Sequence, residues 1–230
     1  KDRFGARVTV LSMGPKMAAE ALKKGISFGA DDAILITDRV FAGSDTLATS
    51  YALSSAIRTI GGDRPVDMVF CGKQTIDGDT AQVGPGVARR LGLQQLTYVS
   101  KIERLDPEAR EIVVHRRAEG GVQALKTKLP CLVTMMEGAN TIRFADMDAM
   151  FRAARYEVIE WDHKAAGIGE VARCGLKGSP TVVKKVFAPP PRANKAEVVD
   201  AAGKPAREAV DALLSKLFAK HPDLEEEIGR

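Results

Sequence analysis

A polar, glycine-rich segment, GKQTIDGDTAQVGPG, runs from Gly72 to Gly86 and is the part of the sequence best suited to ligand chemistry. It directly follows an apolar run, DMVFC, that is typical of a β-strand. Glycine lets the backbone approach a ligand closely and adopt positive φ, and a following helix offers unpaired N–H groups at its first turn. Phosphate is the anion that such donors bind well. The segment therefore predicts a phosphate-binding loop.

Two aspartates in this segment, Asp77 and Asp79, would repel a phosphate if their carboxylates faced it. Aspartate side chains suit Asx-turns and helix N-caps, so neighbouring backbone N–H groups are expected to occupy both carboxylates and stiffen the loop. The aspartates are therefore compatible with a bound phosphate.

Pro85 limits where the helix after the loop begins. A proline beyond the first turn would cost about 3 kcal/mol, so the helix is expected to begin near Ala81 or to be kinked. The free amides would then be those of residues 81–84. Thr80 and Gln82 are expected to add side-chain donors.

Other kinds of site are less well supported. A magnesium site built from the two aspartates and nucleotide phosphates stays open, but no glutamate follows Asp79 at the distance that a calcium loop requires. The dinucleotide fingerprint G-x-G-x-x-G and the P-loop pattern are absent. His115, His163 and His221 have no serine or cysteine constellation around them and are interpreted as surface or packing residues. No metal site and no catalytic side chain are predicted, which suits a protein whose cofactor does the chemistry.

The elements around this loop predict an α/β fold with a mostly parallel, doubly wound sheet. Apolar runs such as RVTVLSM (residues 7–13) and DDAILIT (residues 31–37) alternate with helical runs such as SDTLATSYALSSAIRTIGG, in which Ser44 or Asp45 can cap the helix. Ligands bind beyond the carboxyl ends of parallel strands, so three strand ends are expected to meet in one crevice. Two helix starts with free N–H groups would point into it.

The second half predicts added antiparallel strands, a short helix and a tail. Period-2 stretches between Leu96 and Thr134, including PCLVTMM, are typical of antiparallel strands. Residues 1–188 are predicted to form one domain. Residues 189–230 are predicted to form a proline-rich arm and an amphipathic helix that needs a surface to cover, on this chain or on a partner.

Composition narrows the class of protein. The chain has 230 residues, a net charge of +4 spread along its length, and only 5% aromatic residues, which disfavours nucleic-acid binding. Its three cysteines form no C-x-x-C pair, and no apolar run reaches the length of a membrane span. A cytoplasmic protein is therefore predicted.

Two stretches, CGKQTIDGDTAQVGP and VHRRAEGGVQALKTKLPCLVT (residues 114–134), together resemble the electron-transfer flavoprotein β subunit. The likeness extends from Arg7 to about Trp161, and it implies that the family's first strand is missing before Lys1. It implies an adenine-nucleotide α-hydrolase-like domain that pairs with an FAD-carrying α subunit. In that family the crevice holds AMP in housekeeping members and a second FAD in electron-bifurcating members.

The segment DRVFAGSDTLATS resembles the bifurcating, nitrogen-fixation-associated branch, so FAD is expected and AMP is the alternative. The resemblance implies a set of cofactor-binding residues that line the crevice. They are Ser12, Met13, Thr46, Thr49, Gly72, Gln74, Gly78, Asp79, Thr80, Ala81, Gln82 and Val83.

The family also implies a recognition loop for partner dehydrogenases, here NTIRFADMDAMFRAARYEV with Met147 at the protruding position. The implied partners are the α subunit, a dehydrogenase or quinone oxidoreductase, and ferredoxin or flavodoxin. The chain is then an electron carrier whose NADH-oxidising activity would exist only in an αβ complex. A universal-stress-type nucleotide-binding protein and a magnesium-dependent nucleotide-cleaving enzyme stay open as alternatives.

Overall fold

The computed structural model describes residues 1–190 and 196–228, and it shows an α/β fold built from two sheets and six helices. The strands are β1 (Thr9–Met13), β2 (Asp32–Ile36), β3 (Met68–Gly72), β4 (Gln94–Asp106), β5 (Glu111–Ala118), β6 (Gly121–Lys128), β7 (Cys131–Met135) and β8 (Ile159–Trp161). The helices are α1 (Ala19–Ser27), α2 (Thr46–Gly61), α3 (Val83–Leu91), α4 (Met147–Arg155), α5 (Ala206–Lys220) and α6 (Pro222–Ile228).

The first sheet is parallel throughout, in the order β1-β2-β8, and helices cover both of its faces. Successive residues of a strand point to opposite faces. Leu35 therefore packs with Leu22 and Ile26 of α1 and with Ala153 of α4. Its neighbour Ile36 packs on the other face, in a cluster that contains residues of α2. This is the predicted doubly wound arrangement.

The second sheet has the order β3-β7-β4-β5-β6 and mixes the two strand directions. β3, β7 and β4 run parallel, whereas β4, β5 and β6 form an antiparallel meander. The mostly parallel sheet with added antiparallel strands is confirmed. Hydrogen bonding nevertheless places β3 in this second sheet, apart from β1 and β2.

The antiparallel direction predicted for the stretch PCLVTMM was wrong. Its strand, β7, lies between β3 and β4 and is parallel to both. Residues 131–134 are all buried, because α3 covers Leu132 on one face while Cys131 and Val133 belong to a separate cluster on the other. A strand that is apolar throughout is typical of a central parallel strand.

Residue contacts divide the chain into two units, Lys1–Val183 and Lys184–Arg230. The boundary predicted after residue 188 lies a few residues C-terminal to this division. The second unit contains the predicted amphipathic helix as α5, where Val210, Leu213, Leu214 and Leu217 are exposed. Part of the predicted proline-rich arm, residues 191–195, lies outside the described residues. None of the helices in the described ranges is long and apolar enough to cross a membrane.

Candidate functional site

The starts of α2 and α3 meet at the candidate site. Thr46, the first residue of α2, donates a hydrogen bond from Oγ1 to Oε1 of Gln82, the residue before α3, over 2.8 Å. These residues are 36 positions apart in the sequence, and the bond joins the loop after β2 to the loop after β3. The predicted convergence of the two helix starts is confirmed.

Two glycines let α3 approach its neighbours closely. A Cβ atom on Gly84 would lie 2.7 Å from Cγ2 of Thr134 in β7. A Cβ atom on Gly86 would lie 2.8 Å from both Cβ and Oγ of Ser50 in α2. Real Cβ atoms do not make such contacts, because the best separation of non-bonded carbons is about 3.5–4.0 Å. These glycines therefore fix the position of the α3 start against α2 and β7.

The helix begins at Val83, two residues later than the start near Ala81 that Pro85 suggested. Pro85 is then the third helical residue, where its missing N–H would have had no intrahelical partner in any case. The helix is therefore regular, with the amide of Gly86 donating to the carbonyl of Gln82 over 2.9 Å.

The amides that precede this turn are available to a ligand. Within the described residues, the backbone N–H groups of Thr80 to Gly84 donate no hydrogen bond to the protein, whereas that of Asp79 donates to the carbonyl of Thr75. Gln82 has no side-chain bond to these amides, and because its Oε1 accepts from Thr46, its amide group is left to donate. Thr80 is exposed, and Val83 is partly buried.

The backbone of this loop is strained. Asp79 and Ala81 have φ values of 49° and 54°, in the left-handed region that non-glycine residues rarely adopt. Gln82 returns to right-handed values, with φ −92° and ψ −24°. Alternating left- and right-handed residues turn successive N–H groups toward one side, which is the geometry of an anion-binding nest. Strain of this kind is characteristic of ligand-binding loops.

Both aspartate carboxylates are occupied within the loop. The Thr75 hydroxyl, followed by the backbone amides of Gly78 and Asp77 itself, lowers the pKa of the Asp77 carboxyl. The backbone partners predicted for Asp77 stay a prediction, because the amide of Gly78 lies 3.4 Å from Oγ1 of Thr75. For Asp79 the partner differs from the prediction, because Oδ1 accepts from the side-chain amide of Gln74. In the described part of the chain, no three His, Cys, Asp or Glu side chains come together as metal ligands would.

The start of α2 offers hydroxyl groups in place of free amides. Asp45 caps this helix, and its Oδ1 accepts from the amides of Leu47 and Ala48 over 2.9 and 3.0 Å. The expectation of free amides at both helix starts was therefore wrong for α2. The half-buried hydroxyls of Thr46 and Thr49 are the groups that this helix presents.

Asp45 is itself anchored by a distant segment. Its Oδ2 accepts from the backbone N–H and the hydroxyl of Thr181 over 3.1 and 2.8 Å, and its amide donates to Oγ of Ser179 over 2.8 Å. Burial opposes ionisation, but the bonds from Ala48, Thr181 and Leu47 outweigh it and lower the pKa of the Asp45 carboxyl. No local pattern in the sequence indicated this contact, since it spans more than 130 residues.

The strand ends supply the remaining predicted residues. Ser12 and Met13 end β1 and are half-buried, and Met13 packs against the cluster that contains Tyr51 of α2. Gly72 ends β3 and is exposed, and a Cβ atom there would meet nothing within 4 Å. Gly78 lies in the loop, where its amide is 3.4 Å from Oγ1 of Thr75.

Met147 lies apart from this site, as the first residue of α4. Its side chain is 61% exposed, and large apolar side chains around it are also exposed: Ile142, Phe144, Met150 and Phe151. Asp146 caps the helix by accepting from the amide of Ala149 over 2.7 Å. A fixed helix start therefore presents a flexible, exposed methionine.

Two histidines pair with carboxylates. Nε2 of His115 lies 2.7 Å from Glu103 on the adjacent strand, and Nδ1 of His163 lies 2.6 Å from Oδ2 of Asp38. The bond to His163 is the largest of the effects that lower the pKa of the Asp38 carboxyl. Neither pair includes a residue of the candidate site described above.

Comparison with known proteins identifies the family. The model of the electron transfer flavoprotein domain matches residues 1–166. Protein FixA of Azotobacter vinelandii is 62% identical over all of this chain and 82% of its own length, and Protein FixA of Rhizobium meliloti (strain 1021) is 58% identical over 99% of this chain and 78% of its own. The electron transfer flavoprotein subunit beta of Clostridium acetobutylicum (strain ATCC 824) is 41% identical over 96% of this chain and 81% of its own. The chain therefore belongs to the electron transfer flavoprotein family, with an electron-transfer role, as a beta subunit similar to the FixA proteins.

Proposed function

We propose that the loop before α3 and the start of α2 bind FAD in an electron-transfer flavoprotein heterodimer with an FAD-carrying α subunit. The observation that carries the proposal is the run of backbone amides at Thr80 to Gly84, which donate no hydrogen bond within the described protein. Such amides at a helix start bind phosphate. The bound flavin supplies the chemistry of accepting and releasing one or two electrons.

The residues of this chain fit a diphosphate. The amides before α3 would bind one phosphate group, and the hydroxyls of Thr46 and Thr49 extend the polar lining toward α2. The Thr46–Gln82 bond keeps the two parts of the lining together. Asp45 and Asp79 are engaged with protein donors, so neither carboxylate is free to oppose a phosphate.

The second polar helix start favours FAD over AMP. A single phosphate needs only one cluster of amides, which the α3 start supplies by itself. The hydroxyl of Thr49 would have no phosphate oxygen to bond with AMP, whereas the diphosphate of FAD has further oxygens to accept from it, and Thr46 would orient Gln82 through the bond between them. Gly72 adds room, because no atom fills the space in front of its Cα. A housekeeping β subunit that holds AMP is the alternative.

We further propose that the complex bifurcates electrons. A hydride from NADH carries two electrons, of which one would pass to a low-potential carrier such as ferredoxin or flavodoxin. The other would pass to a quinone-linked acceptor. The exposed apolar surface around Met147 would dock the partner dehydrogenase or quinone oxidoreductase, because an exposed methionine adapts to different partner surfaces.

Flavin content of variants tests the proposal. The chain would be produced with its α subunit as wild type and as Thr46→Val, which removes the hydroxyl and retains the shape. We expect two FAD per wild-type heterodimer and loss of one of them from the variant. The matched control is Thr59→Val on the same helix, whose hydroxyl bonds to the carbonyl of Ser55 and lies far from the helix start.

Two results would contradict the proposal. One FAD plus one AMP in the wild-type heterodimer would assign the crevice to the housekeeping alternative. A wild-type chain that binds ATP and stays colourless when produced with its α subunit would assign the protein to the universal-stress type.

A further inference from the structure

Away from the nucleotide site, three arginines line a cavity of about 260 Å³ between α2, α3 and the turn Val171–Arg173. Its lining residues are Tyr51, Ser54, Arg58, Arg90 and Arg173. Positions 51, 54 and 58 lie on one face of α2, because residues three or four apart on a helix are neighbours. With a rise of 1.5 Å per residue, Ser54 and Arg58 lie roughly 12 and 18 Å along α2 from Thr46. Arg90 reaches the first turn of α2 at the carbonyl of Leu47, and the rest of the cavity extends along α2 away from the nucleotide site.

The structure holds the Arg90 guanidinium in a fixed position. Its Nε donates to Oγ of Ser50 and its Nη2 donates to the carbonyl of Leu47, both over 3.1 Å. The Tyr51 ring supports two of the three cations, since its centroid lies 4.3 Å from Cζ of Arg173 and 5.6 Å from Cζ of Arg90. Cation–π contacts of this kind favour a defined side-chain position.

The positive charge of this cluster is poorly balanced. Oε1 of Glu170 lies 3.6 Å from Nη1 of Arg173, and the Glu170 side chain is 68% exposed. Among the described residues, no carboxylate pairs with Arg58 or Arg90. Burial lowers the pKa of Arg90, and the charge of Arg173 and then that of Arg58 lower it further. The cluster therefore has a net positive charge that a bound anion would offset.

Hydrogen-bond donors are also left over. Arg90 uses two of its five N–H groups for protein acceptors, and Arg58 is bonded through Nη2 to the Arg90 carbonyl. The Tyr51 hydroxyl accepts from the amide of Glu170 over 3.0 Å, which leaves its own hydrogen to donate. A guanidinium group can donate two parallel hydrogen bonds to two oxygens of one phosphate group.

We propose that this cavity is an oxoanion site that binds the phosphate group of a small molecule, with Arg58, Arg90, Arg173 and the Tyr51 hydroxyl as its donors. The cavity is smaller than the range of about 300–1,000 Å³ that is usual for whole drug-sized ligands. It therefore suits a phosphate or diphosphate group better than a complete dinucleotide. The Tyr51 ring already contacts two of the arginines, so recognition is through charge and hydrogen bonds.

Titration with inorganic phosphate and with pyrophosphate tests the proposal. The heterodimer would be titrated by calorimetry with its nucleotide sites saturated, at constant ionic strength set by chloride. We expect saturable binding, tighter for pyrophosphate, and a loss of at least tenfold in affinity for Arg173→Gln. Arg173→Lys keeps the charge but loses the planar pair of donors. Its affinity is therefore expected to lie between those of the wild type and Arg173→Gln.

The matched control is Arg89→Gln. Arg89 precedes Arg90 on α3 and carries the same charge, but it is exposed and does not line the cavity. Its replacement is expected to change the affinity less than twofold. Equal losses for Arg89→Gln and Arg173→Gln would overturn the proposal, because they would report only general electrostatic attraction. Absence of saturable binding of either anion to the folded heterodimer would overturn it as well.

Discussion

Replacing Gly86 with alanine should separate α2 from α3 and weaken the framework of the nucleotide site. The new Cβ would lie 2.8 Å from Cβ and Oγ of Ser50, while ordinary contact needs about 3.5 Å or more. The two helix starts must therefore move apart by roughly 0.7 Å. Such a displacement would stretch the 2.8 Å bond between Thr46 and Gln82.

Two opposing effects set the magnitude for Gly86→Ala. Alanine in place of glycine stabilises a helix by about 1 kcal/mol. Overpacking a close contact costs about 1–3 kcal/mol, so a net loss of up to about 2 kcal/mol in the free energy of unfolding is expected. The double variant Ser50→Gly with Gly86→Ala removes the clash, and should be more stable than the sum of the two single effects by about 1 kcal/mol or more.

Urea unfolding followed by the fluorescence of Trp161, the one tryptophan in the chain, measures these differences. Trp161 packs against the cluster that contains Tyr51 and Ala52 of α2, so its emission reports on this framework. The control is Gly61→Ala, also in α2, whose Cβ would have its nearest neighbour at 3.4 Å. It should be neutral or stabilising. A Gly86→Ala variant more stable than the wild type, or strictly additive effects in the double variant, would refute the close packing as described.

Asp45→Asn should destabilise the protein by about 1 kcal/mol at neutral pH, because asparagine can still cap α2 through one oxygen but has no second oxygen to accept from Thr181. Because the folded protein lowers the pKa of the Asp45 carboxyl, its contribution to stability is present above the ordinary value of 3.8 and is lost as the pH falls through the lower folded pKa. Unfolding curves of the two proteins should therefore converge in acid, and a gap that does not change with pH would contradict a stabilising role of the ionised Asp45 carboxylate. Gly72→Ala should leave the free energy of unfolding within about 0.5 kcal/mol, since its Cβ meets nothing within 4 Å, yet it should reduce the nucleotide content of the purified heterodimer. Full nucleotide content would show that the ligand does not approach Gly72. Met147→Gln should slow electron transfer to the partner dehydrogenase about tenfold, whereas Met17→Gln, at a 79% exposed methionine elsewhere, should not. Equal rates for both variants would remove Met147 from the docking surface.

The sequence predicted those features of the site that depend on neighbouring residues. Asp45 lies directly before an apolar-periodic run, so the capping position could be assigned from local pattern. The convergence of Thr46 and Gln82 was also predictable, because the loops after parallel strands meet at one edge. The β-strand that ends at Gly72 was placed from its apolar run alone.

Features that depend on distant contacts were missed. The glycines before and after Pro85 were associated with a ligand, whereas Gly84 and Gly86 serve the packing of α3 against Thr134 and Ser50. Asp45 occupies α2 amides that were expected to be free for a ligand. The contact of Thr181 with Asp45 joins residues 136 positions apart, and no periodicity encodes such a pairing. The direction of β7 was misjudged for the same reason, because a strand's direction depends on its partners in the sheet.

A crystal structure of the heterodimer with its native nucleotide tests the central claim most directly. The measurement is the distance from phosphate oxygens to the backbone nitrogens of residues 80–84. We predict an FAD whose phosphate oxygens lie about 2.7–3.2 Å from at least two of these nitrogens. The claim would be contradicted if these amides were bonded to carbonyl groups of the α subunit and the nucleotide were bound elsewhere.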